Sequence, residues 1–272
     1  MNEDGSGQAC YQRIVCLCTE AVETLYALGA EDAIAGISGF TTRPARARRE
    51  KPKVSGFSSS RIERILAVGP DLVIGFSDMQ ADICRDLAAA GVEVLLFNQR
   101  DVAGIFRMIR VLAALVGRRE QGQRLAAGLQ AQIDAVRDKA SRWAIRPRVY
   151  FEEWNDPLIS GIGWVSELIS IAGGEDAFAD LARYPSARDR IIAVPCDVVQ
   201  RAPDIIIGSW CGKKFQADSV RNRPGWDGIP AVRNGMIAEI KSADILSPGP
   251  AAITEGLPQI AALIERWQQA QQ

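Results

Sequence analysis

Three carboxylates, Glu152, Glu153 and Asp156, lie close together in the sequence, and two of them could form an acid and base pair. Asp156 precedes Pro157, however, and an Asp-Pro pair is a common turn arrangement. Acidic residues in such a turn are ordinarily solvated. The local pattern therefore favours a turn over a hydrolytic site.

Cys211 stands beside Lys213 and Lys214, and neighbouring cations could lower the pKa of its thiol and make it a nucleophile. The 272-residue chain contains no histidine, however, which removes the usual general base and the commonest zinc and haem ligand. It also contains no nucleophile elbow, phosphate loop or metal-ligand cluster. We therefore expect no catalytic residue, no metal site and no enzymatic activity.

The run Gly161-Ile162-Gly163-Trp164-Val165-Ser166 is partly similar to the GxGxxG dinucleotide fingerprint. It lacks the third glycine, and the bulky Trp164 follows the second glycine, where the backbone must approach a pyrophosphate. An enzyme acting on a nucleotide-like substrate stays open as a weaker alternative.

Aromatic residues recur where predicted strands end, although they make up only 7% of the chain. Phe57, Phe76, Trp154 and Trp210 lie at strand ends or loop tips rather than in an apolar period. Core packing explains each one singly about as well as ligand contact does, but the set favours a wall that faces a ligand. The predicted ligand-binding residues are Thr19, Glu20, Phe40, Phe57, Phe76, Ser77, Trp154, Asp156, Trp164, Trp210, Cys211 and Leu246.

These residues must be positioned by alternating strands and helices. In the first half, strands are predicted at 13–18, 71–76 and 92–97, with helices at 20–30, 61–68 and 80–90. A strand at 148–152 and a helix at 164–172 restart the pattern. Such alternation is typical of a mostly parallel sheet, whose strand carboxyl ends bind ligands.

The second half of the chain repeats the first. ELISIAGGEDAFA resembles ETLYALGAEDAIA, and PCDVVQRAPDIIIGSW resembles RIERILAVGPDLVIGFS, with Pro70-Asp71 matched by Pro203-Asp204. Two similar lobes of one architecture follow from this repeat.

Apolar residues at helical spacing over 101–116 and 120–143 predict a long helical connection between the lobes. An ordinary amphipathic core helix explains the stripe equally well. The predicted fold class is α/β: two Rossmann-like lobes with central, mostly parallel sheets, joined by a long backbone helix, with a ligand cleft between them. The predicted divisions are an N-terminal lobe over 1–100, the backbone helix over 101–145 and a C-terminal lobe over 146–272.

The bulk composition excludes several classes of partner. Thirty-two basic and 33 acidic residues give a net charge of −1, so the chain offers no general field for nucleic acid. No apolar run reaches membrane-spanning length, so no membrane insertion is expected. The loop from Arg43 to Lys53 is basic. Basic loops are most often solvated surface and less often sites that attract anions.

The chain opens MNEDGSGQAC, which is polar and acidic where a secretory leader would be basic and then apolar. Its six cysteines form no CxxC pair. We expect a cytoplasmic protein if Met1 is the native start, and a periplasmic one if a leader was removed.

These features resemble the helical-backbone substrate-binding proteins (class III) of ABC importers, and most closely the cobalamin-binding branch. The resemblance covers residues 13–267. It rests on the segments SSSRIERILAVGPDLVIGF, EEWNDPLISGIGWVSELISIAGGEDAF, RAPDIIIGSWCG, PGWDGIPAVRNGMIAEI and ILSPGPAAITEGL.

The resemblance implies a corrinoid held between the lobes by aromatic and apolar contacts, so cobalamin would be a bound ligand and not a catalytic cofactor. No protein ligand to cobalt is required in that mode. It also implies docking to an ABC permease through one glutamate on each lobe, seven residues before the proline of the Pro-Asp pair. Glu63 matches this pattern, but Cys196 stands at the second position, with Asp197 beside it.

The departure at Cys196 suggests a protein uncoupled from import. Glu63 also has a local explanation as part of a predicted capping box, Ser60-Arg61-Ile62-Glu63. We therefore expect a binding protein for cobalamin or another corrinoid. The alternative is a periplasmic importer receptor for an iron-siderophore, haem or another metal chelate.

Overall fold

The computed structural model describes residues 8–271. The expectation about a leader rests on residues 1–10, of which residues 1–7 lie outside the described residues. The chain forms two compact units. Unit 1 comprises the chain up to Gln99 together with Ala103–Leu129, and unit 2 comprises Arg100–Val102 and the chain from Gln130 onward. The predicted divisions at residues 100 and 145 stay predictions.

Unit 1 is built on a five-stranded parallel sheet in the order β3-β2-β1-β4-β5. Its strands are β1 Ile14–Cys16, β2 Ile34–Ser38, β3 Lys53–Ser55, β4 Leu72–Phe76 and β5 Val94–Phe97. Its first four helices are α1 Thr19–Ala27, α2 Ala47–Glu50, α3 Ile62–Leu66 and α4 Ala81–Ala89, with short 3₁₀ helices at Glu31–Ala33 and Asp78–Gln80. This alternation confirms the predicted α/β class.

The core of unit 1 is formed by continuous apolar strand segments. Val15 of β1 and Val73 of β4 are fully buried, together with Leu17, Ile65 and Leu87. Strands of a parallel sheet are covered on both faces, so their sequences are apolar throughout instead of alternating. Each fully buried side chain of this size contributes about 1.5–3 kcal/mol.

Two helices, and not one continuous helix, connect the sheets. They are α5 Val102–Leu115 and α6 Arg119–Ala140. Gly117 separates them with a φ of 67°, a left-handed conformation that ends helices and that glycine adopts without strain. The expectation of helix throughout this connection is wrong at residues 116–118. The long backbone helix is α6, which begins in unit 1, ends in unit 2 and is about 33 Å long.

Unit 2 contains a mostly parallel five-stranded sheet. Its strands are β6 Arg148–Asn155, β7 Leu158–Ser160, β8 Glu175–Asp176, β9 Ile205–Gly208 and β10 Ile237–Glu239. The order is β10-β9-β6-β7, with β8 pairing with the start of β6 and antiparallel β7 with its end. Its remaining helices are α7 Gly163–Ile171, α8 Ala179–Ala182, α9 Cys196–Arg201, α10 Ala217–Arg221, α11 Pro230–Arg233, α12 Ser242–Ile245 and α13 Leu257–Ala270, with a 3₁₀ helix at Ala187–Arg190 and a π-helical turn at Ala252–Gly256.

The aspartates of the two Pro-Asp pairs in the sequence repeat make equivalent hydrogen bonds. The Asp71 carboxylate accepts hydrogen bonds from the amides of Gln12 and Arg13 at 2.7 and 3.0 Å, just before β1. The Asp204 carboxylate accepts one from the Arg148 amide at 2.8 Å, at the start of β6. In each unit the aspartate thus ties two adjacent parallel strands together, which confirms two similar lobes.

Among residues 8–271, no helix is both long and apolar enough to cross a membrane.

Candidate functional site

Four of the predicted ligand-binding residues lie where the strand order of unit 1 reverses. β1 and β4 are neighbours, and the chain leaves them toward opposite edges of the sheet. Such a reversal at the strand carboxyl ends is where open parallel sheets bind ligands. Thr19 and Glu20 follow β1, while Phe76 ends β4 and Ser77 follows it. Ser77 is held at a φ of 65°, and its amide donates to the Phe97 carbonyl at 2.8 Å.

Gln80, which the sequence did not single out, ties this region together. Its fully buried Oε1 accepts from the Phe76 amide at 2.8 Å, and its Nε2 donates to the carbonyls of Leu17 and Phe57 at 3.1 and 2.8 Å. One side chain therefore fixes the segments that follow β1, β3 and β4. A Cβ at Gly75 would lie 2.9 Å from Gln80 Oε1, so glycine is needed there.

Large apolar side chains are exposed at the same edge of the unit 1 sheet. Phe40, after β2, is 67% exposed, and Met79, after β4, is 61% exposed. Phe57, after β3, is half-buried. We call Phe40, Phe57 and Met79 the apolar rim. Exposed apolar groups that share one edge are typical of a surface that another molecule covers. Met79 was missed because a single methionine at a helix start carries no sequence signal.

In unit 2, the carboxylate of Glu152 lies at the centre of a buried hydrogen-bond network. Arg223 binds it through two nitrogens at 2.5 and 2.8 Å, and the Trp210 indole donates to it at 2.9 Å. The Tyr150 hydroxyl donates a fourth bond at 3.1 Å. Burial alone would lower the pKa of Arg223, but the hydrogen bond to Glu152 raises it overall. Glu152 thus orients Trp210, which leaves no reason to assign it an acid or base role.

Trp210 and Trp154 come together at the carboxyl end of the unit 2 sheet. The Lys213 ammonium lies 5.3 Å from the centre of the Trp210 ring and 5.8 Å from that of Trp154, and it donates to Asn155 Oδ1 at 3.1 Å. Phe215 packs edge-on against Trp210, with ring centres 4.9 Å apart. We call Trp154, Trp210 and Lys213 the aromatic face. Trp210 is nearly buried, whereas Trp154 keeps part of its surface exposed.

Two further predicted contacts differ sharply in accessibility. Trp164 is only 3% exposed, and its indole donates to the Ile245 carbonyl at 2.8 Å, which fixes α7 to α12. Leu246, the next residue along, is partly exposed. Trp164 therefore already has a complete structural role.

The glycines around Trp164 also have a structural explanation. α7 begins at Gly163, and a Cβ there would lie 2.3 Å from the Arg100 carbonyl oxygen. A Cβ at Gly161 would lie 3.3 Å from the Phe151 side chain. Backbone packing therefore accounts for Gly163, and tight contact with a side chain favours glycine at 161, without a bound nucleotide.

The possible nucleophile and the loop carboxylates do not form a reactive group. The pKa of Cys211 is raised by desolvation and by the nearby Glu153 carboxylate, so the alternative of a lowered thiol pKa is wrong. Glu153 binds the buried Arg190 guanidinium at 2.7 and 3.1 Å. Asp156 is exposed, in the turn between β6 and β7. Within the described part of the chain, no three cysteine, aspartate or glutamate residues are grouped to hold a metal ion.

The residues proposed for docking lie on the surface. Glu63 is exposed on α3, Cys196 is exposed at the start of α9, and Asp197 is partly exposed beside it. The predicted capping box is wrong, because Arg61 occupies the cap position of α3 and no side chain caps the helix. The local explanation for Glu63 therefore disappears.

The chain is similar in sequence and in structure to known binding proteins. The family model described as "Periplasmic binding protein" matches residues 14–243. The vitamin B12-binding protein of Vibrio campbellii is 26% identical over 245 residues, which cover 87% of this chain and 84% of that protein. An uncharacterised ABC transporter substrate-binding lipoprotein of Bacillus subtilis is 24% identical over 93% of this chain and 80% of its own length. The apo periplasmic haem-binding protein RhuT of Roseiflexus sp. RS-1 superimposes with a TM-score of 0.78 and 26% identity, over 96% of this chain and all of the other.

Proposed function

Because the chain belongs to the periplasmic binding protein family, we propose that the small molecule it binds is a corrinoid, either cobalamin or a close relative. Family membership confirms the resemblance to importer substrate-binding proteins and the expectation of a small-molecule binding protein. The similarity to a vitamin B12-binding protein over most of both chains supports the corrinoid.

The single observation that carries this proposal is the apolar rim. Phe40 and Met79 leave most of their surfaces in water, and Phe57 adds a third apolar group at the same sheet edge. A corrin ring is broad and largely apolar on its faces, so it gains free energy by covering such groups. This contact needs no protein ligand to cobalt, in accord with a chain that contains no histidine.

The test is a titration of the purified protein with cyanocobalamin and hydroxocobalamin, followed by corrin absorption and tryptophan quenching. We expect saturable binding of one corrinoid per chain. Phe40→Ala and, separately, Phe57→Ala should each weaken it about tenfold, as loss of a central aromatic contact does. Ile145→Ala is the matched control, since Ile145 is an exposed apolar residue outside the rim. A folded protein that binds neither corrinoid excludes the proposal.

A second candidate ligand is haem or another metal chelate. Structural likeness to a haem-binding protein at 26% identity favours it. With no histidine in the chain, such a haem would lack an imidazole ligand. The same titration with haem and with a ferric siderophore separates these ligands from corrinoids.

The protein binds its ligand without transforming it. Support comes from Glu152 and Glu153, whose carboxylates are engaged by Arg223 and Arg190. Mass spectrometry of ligand recovered after prolonged incubation tests this point, and a new product would refute it.

Coupling to an ABC permease is weak or absent. Glu63 is exposed as docking would require, but the exposed Cys196 replaces the second glutamate, and the carboxylate of Asp197 follows it in the sequence. Stimulation of ATP hydrolysis by a reconstituted permease from the same genome tests this. Cys196→Glu should raise the stimulation, and strong stimulation by the unchanged protein would show that it is coupled.

We infer that the protein acts in a reducing compartment, the cytoplasm. All six cysteines are free thiols, and Cys10, Cys196 and Cys211 are exposed. Exposed thiols suit a reducing compartment better than an oxidising one. Fractionation of native cells with an antibody against the protein decides between cytoplasm and periplasm.

A further inference from the structure

A separate cavity of about 460 Å³ lies in unit 1, lined by β3, the loop that follows it and α3. Its lining contains two kinds of polar group, cations and hydroxyls. They are Lys53, Arg61 and Arg64, and Ser55, Ser59 and Ser60. No acidic side chain belongs to the lining, which therefore carries three cations and no anion in a chain whose net charge is −1.

The three cations have no carboxylate partner. Among the ion pairs of residues 8–271, none involves Lys53, Arg61 or Arg64. Elsewhere in the unit, Arg46 is paired with Glu31 and Arg85 with Asp82. Like charges gathered around one cavity repel each other, and an anion at the centre would relieve that repulsion.

Two of the hydroxyls point to the same kind of ligand. The Oγ atoms of Ser55 and Ser60 are buried, and neither has a hydrogen-bond partner in the described part of the chain. A buried polar group without a partner costs about 1–3 kcal/mol. A hydroxyl can donate to an anion oxygen alongside a guanidinium, so one oxyanion would satisfy both types of group.

The loop holds these serines in place before any ligand arrives. Ser55 and Ser60 face each other as an antiparallel bridge, and the Gly56 amide donates to the Ser59 carbonyl at 2.8 Å. A Cβ at Gly56 would lie 2.8 Å from that carbonyl oxygen, so only glycine allows the turn to close. The Ser38 hydroxyl anchors the turn by donating to the Gly56 carbonyl at 3.2 Å.

We propose that this cavity is an oxyanion-binding site, distinct from the corrinoid contact, for a phosphate- or sulfate-class group. The group is either the free inorganic ion or the end of a small phosphorylated molecule. Arg61 and Arg64 supply guanidinium donors, Lys53 supplies charge, and Ser55 and Ser60 supply hydroxyl donors. The proposal does not depend on the identity of the main ligand.

The test measures thermal unfolding and isothermal titration with sodium phosphate, sodium sulfate and glycerol 3-phosphate, against sodium chloride at equal ionic strength. We expect one saturable site with a dissociation constant of about 1 mM or lower. The double variant Arg61→Gln/Arg64→Gln should weaken binding about tenfold or more. The matched control Arg49→Gln/Arg233→Gln removes the same charge from exposed residues outside the cavity and should leave binding unchanged.

A third variant separates hydroxyl recognition from charge. Ser60→Ala should weaken phosphate binding several-fold while leaving the ligand-free protein at least as stable, because it removes an unpartnered buried hydroxyl. Tighter binding of glycerol 3-phosphate than of phosphate identifies an organic ester as the ligand, and equal binding identifies the free ion. The site is refuted if phosphate acts no differently from chloride, or if both double variants weaken binding equally.

Discussion

At the scale of single residues, Glu152 determines how the aromatic face is held. Its carboxylate is completely buried, and it is stabilised there only because Arg223, Trp210 and Tyr150 all donate to it. A buried ion pair stabilises the folded protein little more than an apolar pair of the same shape would. Removing one partner is costly, because it leaves a buried charge unpaired. The orientation of Trp210 therefore depends on Arg223, because both side chains donate to the same carboxylate.

Arg223→Met should lower the free energy of unfolding by about 3–5 kcal/mol, because it leaves the Glu152 charge buried without its cation. Arg221→Met is the matched control two residues earlier. It breaks only an exposed pair with Asp218, for a cost of about 0.5 kcal/mol or less. Urea unfolding of both variants measures the difference. Equal losses would show that Glu152 does not depend on Arg223.

Asp176 provides a residue-scale test through pH. Burial raises the pKa of this carboxyl, against the opposing effect of the hydrogen bond from the Phe178 amide. An acid whose pKa is higher in the folded protein binds its proton more tightly there. Its contribution to stability is therefore complete below its ordinary pKa of about 3.9 and is lost as the pH rises through the raised folded value.

Asp176→Asn should consequently gain stability relative to the unchanged protein as the pH rises from about 3.5 to 7. The asparagine carbonyl can still accept from the Phe178 amide, so the variant keeps that hydrogen bond. The expected gain is about 1.4 kcal/mol for each unit by which the folded pKa is raised. Urea unfolding at several pH values checks this, with the exposed Asp82→Asn as control. A difference that stays constant or falls with pH would contradict the assignment.

At the scale of elements, one glycine decides how the connection between the sheets is divided. Gly117 adopts a left-handed φ of 67°, and the Arg118 amide then donates to the Ala113 carbonyl at 2.7 Å, which closes the end of α5. α6 then packs closely against α5, since a Cβ at Gly122 would lie 2.4 Å from that of Ala113. The turn and the packing both depend on small residues.

Gly117→Ala should destabilise the protein by about 1–2 kcal/mol, because alanine is strained at a positive φ. Gly128→Ala is the counterpart inside α6, where a Cβ meets nothing within 4 Å. There the same substitution should stabilise by up to about 1 kcal/mol, since alanine is the better helix former. Opposite signs in thermal unfolding are the expected result, and a loss of stability in both variants would contradict it.

The sequence predicted the strands that are buried on both faces. It did not predict short strands that exist only because they pair with a neighbouring strand. β4 and β9 appear in the sequence as the apolar runs LVIGF and IIIG, which parallel sheets require. β7 and β8 are three and two residues long, and only their pairing with β6 defines them. Within the candidate site, Phe40 and Phe57 were predicted because they follow predicted strands. Gln80 was missed because a glutamine at a helix start is usually solvated, and its inward orientation depends on space left by Gly75.

At the scale of the whole molecule, net charge and local charge have separate consequences. The chain carries only −1 overall, so no long-range field draws anions to it. The three cations of the oxyanion cavity act locally, within about one Debye length of 8–10 Å at ordinary salt. Anion binding there should therefore occur without general affinity for nucleic acid.

Thiol accessibility reports on how completely the whole molecule is folded. Cys16, Cys18 and Cys84 are buried, and burial raises the pKa of each thiol. The thiolate is the reactive form, so these three should be nearly inert in the folded protein. Cys10, Cys196 and Cys211 are exposed and accessible to a reagent.

Titration with a colorimetric thiol reagent should therefore find three reactive groups in native protein and six after unfolding in guanidinium chloride. Cys211 should react more slowly than an ordinary exposed thiol, because its raised pKa leaves less thiolate at neutral pH. A ligand that stabilises the folded state should slow the reaction of the three buried thiols further, since they react only through opening. Six rapidly reacting thiols in the native protein would show that β1 and α4 are not packed as described. Slow reaction of the three buried thiols would place β1 and α4 in the folded core.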